Sequence, residues 1–389
     1  MKRDFIGLSP FKSFLMAGYE CADLLNRRAE RIDYMKITGH LDQLDSDYSM
    51  LEEFGIKTVR EGIRWSQVEL KPFEYDFSVP GLMIEAAAKK DIQQVWDICH
   101  FGFPADLDPF HQQFEARFVS LCIAFSKFYL EHSCSRQPLI VTPINEVSFL
   151  SWLSAEVGET SPYCKNRGWE AKYLLMKAYI AAARALKKLS SRILILATEP
   201  LVNIVPPLEA TAEQVAEAAL QHEFQYQSMD MLCGRICPEL NGSPDLLDIL
   251  GLNFYYNNQW VTGFEEFLPW ANLQPDDRWR PLSEMLMEVY SRFGKPLILS
   301  ETSHSGRDRP NWFNFVWEEV ELLEEDIPFW GICVYPIIDR PDWNDLDYWH
   351  GSGLWDNSNV QGQPNRALYQ PLASALRNKI LQKNSSYEN

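Results

Sequence analysis

The sequence has no cysteine framework, no basic run and no membrane-length apolar segment, and each absence excludes a class of protein. Eight cysteines are scattered along the chain, and the nearest pair, Cys233 and Cys237, has no second pair beside it to complete a zinc site. Lysine and arginine never exceed a run of two, and the formal charge is −18. We therefore expect no nucleic-acid partner and no binding to anionic membranes.

The first residues, MKRDFIGLSPFKSF, are basic but lack the apolar centre of a secretion signal. Cys99 and Cys333 lie inside apolar runs, as buried thiols in a reducing compartment do. These features predict a cytoplasmic protein that holds neither a metal nor a cofactor. The oligomeric state stays open.

Short runs rich in Ile, Val and Leu recur along the chain. They are nearly continuous in hydrophobicity, as is typical of parallel strands covered on both faces. The eight runs are Phe14–Gly18, Thr58–Trp65, Ile92–His100, Leu139–Glu146, Ile193–Glu199, Ile249–Tyr255, Leu297–Glu301 and Phe329–Pro336.

Helical patterns separate these runs. They cover Asp47–Phe54, Gly81–Lys90, Gln112–Tyr129, Trp169–Leu189, Ala212–Met231, Leu282–Arg292, Trp312–Glu324 and Leu368–Leu381. Eight strands that alternate with helices favour a closed (β/α)8 barrel over an open sheet. We predict one barrel domain over residues 1–382 with long loops after its strands, and a polar tail over 383–389.

Polar and aromatic residues stand where the predicted strands end, and those ends share one face of a barrel. Two carboxylates that face each other across a pocket provide the proton donor and the nucleophile or base for cleaving a glycosidic bond. The strand-end residues are Arg60, His100, Asn145, Glu146, Glu199, Asn253, Tyr255, Glu301, Tyr335, Asp342 and Trp343.

Flat aromatic rings pack on the apolar face of a sugar, so aromatic residues near these ends are candidates for a sugar platform. Trp343 is the best of them because acidic residues surround it in the sequence. The others are Trp65, Trp152, Tyr255 and Trp349.

An ordered set of short motifs resembles glycoside hydrolase family 1 over nearly the whole chain. Thr142-Pro143-Ile144-Asn145-Glu146 is similar to the family's T-F-N-E-P block, and Leu299-Ser300-Glu301-Thr302 is loosely similar to its T-E-N-G block. The other motifs are Gly55–Arg60 with Trp65-Ser66, Asp97–Phe101, Asp248–Tyr255, Asp339–Trp343 and Gly353-Leu354.

The resemblance implies a retaining β-glycosidase that acts on a small carbohydrate. Glu146 would be the acid/base and Glu301 the nucleophile. Arg60 and Tyr255 would hold Glu301. The other implied roles are contacts to the sugar, by Asn145 to its 2-hydroxyl, by His100 to a ring hydroxyl, and by Glu20, Asn253, Tyr335, Asp342 and Trp343 elsewhere.

The residues that would recognise a hexose depart from the family pattern. Glu20 lies in Tyr19-Glu20-Cys21-Ala22, where the family has a glutamine block. Asp342 replaces a longer glutamate, and Tyr335 replaces a tryptophan. Ordinary β-glucosidase activity is therefore not implied. Glu20 and Asp342 would also repel a sugar phosphate.

Three other functions are compatible with parts of the pattern. A transglycosidase would use the same two glutamates on another acceptor. A binding-only barrel would account for the altered recognition residues. A metal-dependent hydrolase is disfavoured, since the seven histidines are dispersed and no H-x-H pair occurs. The roles of Glu199 and His304 stay open.

Overall fold

The computed structural model of the chain describes residues 9–133, 137–263, 266–271, 276–323, 327–360 and 363–385. Eight parallel strands pair in chain order, and the last closes onto the first to complete a barrel. The predicted (β/α)8 barrel is confirmed. Its strands are β1 (Leu15–Gly18), β2 (Thr58–Gly62), β3 (Gln93–Cys99), β4 (Leu139–Ile144), β5 (Ile193–Pro200), β6 (Ile249–Asn253), β7 (Leu297–Thr302) and β8 (Phe329–Val334).

Helices surround the barrel, as the apolar patterns between the strands predict. The longer ones are Ser78–Lys89, Phe114–His132, Gly168–Leu189, Ala212–Glu223, Leu282–Phe293, Arg309–Glu321 and Gln370–Ser385. The shorter helices and turns are Tyr34–Ile37, Leu44–Met50, Leu51–Phe54, Trp65–Val68, Val147–Ser151, Trp152–Glu156, Phe224–Tyr226, Gln227–Leu232, Pro238–Leu240, Pro244–Leu246 and Gly306–Asp308. Among the described residues, no helix is both long and apolar enough to cross a membrane.

Three short two-stranded sheets lie outside the barrel, and the sequence pattern did not predict them. They pair Glu69–Lys71 with Glu74–Tyr75, Asn203–Val205 with Gln259–Val261, and Trp355–Val360 with Gln363–Leu368. The last pair lies partly within the segment after β8 that the sequence suggests to be a loop. The C-terminal helix continues to Ser385, into the predicted tail, and residues 386–389 lie outside the described part of the chain.

The interior of the barrel is apolar in one layer and polar in the next. Seven strands each contribute one residue to an apolar cluster, from Met16 in β1 to Cys333 in β8. Side chains in a strand alternate between faces, so the residue two positions further along also points inward. Those next inward residues are mostly polar and include Arg60, Asp97, Thr142, Thr198, Ser300 and Tyr335.

The inward-facing residues thus change from apolar to polar toward the C-terminal ends of the strands, so that a polar layer lies over an apolar one. The other faces of the same strands pack against the helices, for example through Ala17, Val59 and Trp96. The barrel therefore gains its burial from the apolar layers and leaves its C-terminal end available for chemistry.

Candidate active site

Glu301, near the end of β7, accepts two hydrogen bonds in a buried position. Arg60 Nη1 lies 2.5 Å from its Oε1, and the Tyr255 hydroxyl lies 2.8 Å from its Oε2. Burial and the charge of Glu301 raise the pKa of Tyr255 well above its usual range, so the phenol stays protonated and donates. A cation and a hydroxyl donor both stabilise the carboxylate form of Glu301.

A register shift in β7 accompanies this arrangement. Leu299 pairs with Leu252 of β6, whereas Glu301 pairs with Asn253, so one residue of β7 is extra at this point. The irregularity brings both Ser300 and Glu301 into contact with site residues. Ser300 Oγ donates to Asn253 Oδ1 at 2.6 Å, and the Ser300 carbonyl accepts from Arg60 at 3.3 Å.

Glu146 occupies a different environment at the end of β4. Its backbone is left-handed, with φ +46° and ψ +61°, and this breaks the alternation of the strand. Asn145 and Glu146 therefore both face the pocket, which a regular strand would prevent. The side chain accepts one hydrogen bond, from the neutral amide of Asn253 at 2.9 Å.

The environment of Glu146 favours its protonated form. Burial, followed by the nearby charge of Glu301, raises the pKa of Glu146 well above its usual range, and Glu199 adds to the rise. Its Asn253 contact connects through Ser300 to Glu301. The two carboxyl groups therefore belong to one hydrogen-bond network and interact electrostatically.

Arg60 connects the strand ends into one network. Its guanidinium reaches Asp97 Oδ2 at 2.8 Å and Asn145 Oδ1 at 2.7 Å in addition to Glu301. Thr198 Oγ1 also donates to Asn145 Oδ1, at 2.8 Å. Because the amide oxygen of Asn145 is committed to these donors, its Nδ2 must face His100 Nε2, 3.2 Å away.

These contacts determine the tautomer of His100. Burial lowers the pKa of His100 and the hydrogen bond to Asp97 raises it, with a net rise that favours a charged ring. The Asn145 amide N–H, however, requires a lone pair on Nε2. The amide contact is direct, so we assign the neutral ring, which donates from Nδ1 to Asp97 Oδ2 at 2.8 Å.

Glu20 and Tyr335 contact each other and lie beside His100. The Tyr335 hydroxyl donates to Glu20 Oε1 at 3.2 Å, and the Tyr335 ring stacks parallel to His100 with centroids 5.9 Å apart. Arg340, from the segment after β8, lies 2.9 Å from Glu20 Oε2. Sequence reasoning did not select Arg340 as a site residue.

Tyr335 can occupy this position only because Gly18 has no side chain. A Cβ at Gly18 would lie 2.0 Å from Tyr335 Cδ2. We expect Gly18→Ala to destabilise the fold by about 1–3 kcal/mol, because overpacking forces the ring and backbone to move. Urea unfolding measures this loss. Gly81→Ala is the control, since its Cβ would meet only the half-buried Phe128 ring, at 3.3 Å. If the unfolding free energy of Gly18→Ala equals that of the wild type, the packing argument is wrong.

Asp342 and Trp343 lie in the segment after β8, where Trp343 contacts Arg340 and Phe149. Asp342 Oδ1 accepts from the backbone N–H of Asn344 at 2.8 Å, and its Oδ2 lies 3.6 Å from His350 Nε2. The Trp343 ring faces Phe149 with centroids 6.3 Å apart and planes inclined by 21°. One oxygen of Asp342 is therefore held in its own turn and the other is available.

The other aromatic candidates for a sugar platform differ in how deeply their side chains are buried. Trp65 is completely buried among Phe103, Phe114 and Phe118, so its prediction as a sugar platform is wrong. It belongs to the packing between barrel and helices. Trp152 is 48% exposed, beside Phe149.

The structure distinguishes the two residues whose roles the sequence left open. Glu199, at the end of β5, accepts from the backbone N–H of Ser148 at 3.1 and 3.3 Å, which anchors the helix that follows Glu146. His304 accepts from the Trp270 indole at 3.2 Å and stacks on Tyr256. Glu199 therefore supports the acid candidate, whereas His304 is engaged in an aromatic cluster.

Cys21, Asp97 and His100 bring a thiol, a carboxylate and an imidazole together. Asp97 Oδ1 accepts from Arg60 Nε, Asp97 Oδ2 lies 2.8 Å from Arg60 Nη2, and His100 Nδ1 donates to Oδ2. A metal ion here would lie against a guanidinium, so we assign these three residues to the hydrogen-bond network and not to a metal site.

Sequence reasoning missed Asp97, Thr198, Ser300 and Arg340. A usable signal existed for the first three. Each lies two positions beyond a residue of the inner apolar layer, Val95, Leu196 or Ile298, and strand alternation points both inward. Arg340 lies in a loop, where no periodicity in the sequence predicts which way a side chain points.

Solved structures of glycosidases share this fold. The barrel is similar to a β-glucosidase from Thermotoga maritima in complex with glucoimidazole, with 14% identity, a TM-score of 0.71 and 88% of each chain covered. It is also similar to the AHE enzyme from Alicyclobacillus herbarius, with 15% identity, a TM-score of 0.75 and coverage of 96% of this chain and 99% of that chain. No model of a known protein family matches the chain, and no curated protein matches it by sequence. The similarity is one of fold.

Proposed function

We propose that the protein is a retaining β-glycosidase that hydrolyses a β-linked glycoside or short oligosaccharide, with Glu301 as nucleophile and Glu146 as acid/base. The observation that carries the proposal is the contrast between the two buried carboxyl groups. Glu301 accepts from a guanidinium and a phenol, whereas Glu146 accepts from a neutral amide. The cationic and phenolic donors suit Glu301 to the role of nucleophile, and the neutral amide suits Glu146 to the role of acid, as double displacement requires.

In the first step the Glu301 carboxylate attacks the anomeric carbon, and the glycosidic C–O bond breaks. Glu146 gives its proton to the departing oxygen, so the products are the free alcohol and a glycosyl ester on Glu301. Esterification removes the charge that raised the pKa of Glu146. Its carboxylate then takes a proton from water, which attacks the same carbon and releases Glu301.

The surrounding residues receive supporting roles in this proposal. Arg60 and Tyr255 hold the nucleophile through two separate oxygens. Asn145 and His100 orient each other, which leaves the second N–H of the Asn145 amide for the sugar. Asn253 orients Glu146. Glu20, Tyr335, Asp342 and Trp343 would contact the sugar.

Trapping the covalent intermediate tests the proposal directly. The pure protein is incubated with 2,4-dinitrophenyl 2-deoxy-2-fluoro-β-glycosides of the gluco, galacto, manno, fuco and xylo series. The fluorine slows both steps and the good leaving group preserves the first, so the intermediate accumulates. We expect a mass increase of one fluoroglycosyl group on the peptide that contains Glu301.

The matched control is Glu301→Gln, which should take up no label under the same conditions. A label on another residue would contradict the assigned nucleophile. Absence of label with every glycone, together with no hydrolysis of the corresponding unfluorinated substrates, would favour a barrel that binds carbohydrate without cleaving it. Products transferred to an added alcohol, with little free sugar, would identify a transglycosidase.

The pH dependence of kcat/KM provides a second test, because the charge of Glu199 acts on Glu146. Burial, the charge of Glu301 and then the charge of Glu199 raise the pKa of Glu146. Activity requires the protonated acid, so it falls as the pH rises through that pKa. We expect Glu199→Gln to move the basic limb of kcat/KM to lower pH, because one of the opposing charges is removed.

A purely structural role for Glu199 would lower kcat/KM equally at every pH, so an unmoved basic limb would contradict the electrostatic role. Lys172, which also faces Glu199, offers the complementary variant. Lys172→Met removes a cation from the same cluster, and the basic limb should shift in the opposite direction.

A further inference from the structure

Glu20 and Arg340 form a partly buried ion pair beside the candidate active site, with side chains 7% and 23% exposed. Arg340 Nε lies 2.9 Å from Glu20 Oε2. The other oxygen of Glu20 accepts from the Tyr335 hydroxyl and from the backbone N–H of Ala22, each at 3.2 Å. The pair is therefore anchored to the end of β1 and to the segment after β8.

A continuous chain of contacts joins this pair to the nucleophile. Glu20 lies 3.9 Å from His100 Nε2, and that nitrogen faces Asn145. Asn145 in turn contacts Arg60, which holds Glu301. The pair thus belongs to the same contact network as the proposed nucleophile.

Arg340 keeps donors that no acceptor among the described residues uses. Its Nε has no hydrogen-bond acceptor despite the short distance to Glu20, so that N–H is not aimed at the carboxylate. Its Nη1 donates weakly to the Tyr34 hydroxyl at 3.4 Å and to the Pro341 carbonyl at 3.2 Å. A buried donor without a partner costs free energy, and a ligand oxygen would relieve that cost.

The charged groups around Arg340 either neutralise it or are acidic. Arg340 faces Glu20, Asp342 lies beside His350 in the same segment, and burial lowers the pKa of His350, so that this ring is neutral near pH 7. A carboxylate on the glycone would have to compete with Glu20 for Arg340. An ammonium group would have to compete with Arg340 for Glu20.

We propose that Glu20 and Arg340 act together as a specificity-determining pair, which donates to and accepts from hydroxyl groups of an uncharged glycone and rejects glycones that carry a carboxylate or an amine. This proposal rests on the proposed glycosidase function and adds the substrate class. Each charge of the pair is already neutralised by the other. A charged group on the glycone would therefore meet an occupied partner and, beside it, a residue of its own charge sign.

The test compares matched substrates with one leaving group. The 4-nitrophenyl β-glucoside and β-galactoside are set against the β-glucuronide and β-galacturonide. For the wild type we expect kcat/KM to be at least about 100-fold higher on the neutral member of the accepted pair. Glu20→Gln leaves Arg340 without its counter-charge, so this ratio should fall at least about tenfold, mainly through a lower KM for the uronide.

The arginine variants run the comparison in the other direction. Arg340→Gln leaves Glu20 unpaired, so the ratio should rise. Arg340→Lys keeps the cation and should keep the ratio within about threefold of the wild type. If Glu20→Gln lowers activity on both members equally, or if Arg340→Gln leaves the ratio unchanged, the pair does not set charge specificity and the proposal is wrong. The arginine variants decide the question alone if Glu20→Gln does not fold.

A binding measurement separates this proposal from the hydrolytic one. Calorimetric titration with glucose and with glucuronate requires no turnover. Gain of glucuronate binding in Glu20→Gln relative to the wild type would support the charge pair even if no substrate were cleaved. Cleavage of neutral glycosides with an unaltered binding preference in every variant would retain the glycosidase and overturn the pair.

Discussion

Glu301→Gln is expected to lower kcat on an activated aryl β-glycoside by at least about 10,000-fold. The substitution preserves the shape of the side chain and an acceptor for the Tyr255 hydroxyl, but it removes the nucleophilic carboxylate. Arg60 keeps Asp97 as a counter-charge, so the fold should lose little stability. Steady-state kinetics and a thermal melt of the same preparation measure the two effects.

The matched control for this prediction is Glu209→Gln. Glu209 is an exposed glutamate in the segment after β5, and the same change of charge there should leave kcat within twofold of the wild type. More than a tenth of the wild-type turnover in Glu301→Gln would remove Glu301 from the proposed reaction. A large fall in melting temperature would show that the side chain acts in folding and not in chemistry.

Arg60→Met is expected to produce the largest combined loss of activity and stability. Its guanidinium bridges Asp97, Asn145 and Glu301 in a buried site. Removing one partner of a buried ion pair leaves uncompensated charges, which costs about 3–5 kcal/mol. Activity should fall at least about 1,000-fold, because the Glu301 carboxylate loses its cation and Asn145 loses a donor.

The pH dependence of stability distinguishes this cause from a simple packing loss. Burial raises the pKa of Asp97, but Arg60 and His100 lower it by more, so its pKa in the folded protein lies below the usual range. That group contributes stability above its unfolded pKa of about 4, and the contribution is lost as the pH falls through the folded pKa. The deficit of Arg60→Met should therefore be full at pH 7 and shrink below about pH 4.

Urea unfolding at pH 7 and at a pH well below 4 measures this deficit. Arg27→Met is the control, since Arg27 is exposed and its replacement should change the unfolding free energy by no more than about 0.5 kcal/mol. An equal deficit for Arg60→Met at both pH values would attribute the loss to packing alone.

The alternation of apolar strands with helical patterns was sufficient to predict the barrel. All eight strand predictions coincide with observed strands, and their boundaries differ by at most three residues, as in Thr58–Trp65 against Thr58–Gly62. A predicted strand is longer than the observed one where its apolar pattern continues into a turn. Arg64 and Glu146 each have positive φ at such a point, and local hydrophobicity carries no information about that backbone state.

The candidate catalytic residues were predictable because parallel strands bring their C-terminal ends to one face. Arg60 and Tyr255 both contact Glu301 directly, as the resemblance implies. Trp65 was misjudged, since a tryptophan after a strand end faces either the pocket or the helices, and the sequence does not decide which. The two-stranded sheets were missed because short pairings of polar strands leave no hydrophobic period.

The sequence by itself determined the fold class, the number and order of the strands, and the set of polar residues that end at the open face. These follow from short-range periodicity, which hydrophobic burial imposes residue by residue. Only the tertiary structure decided which carboxyl group contacts a cation and which contacts a neutral amide, because that depends on Arg60 and Asn253 arriving from distant strands. It alone also brought Arg340 to Glu20, since the direction of a loop side chain is set by contacts 320 residues away in the chain and by no local pattern.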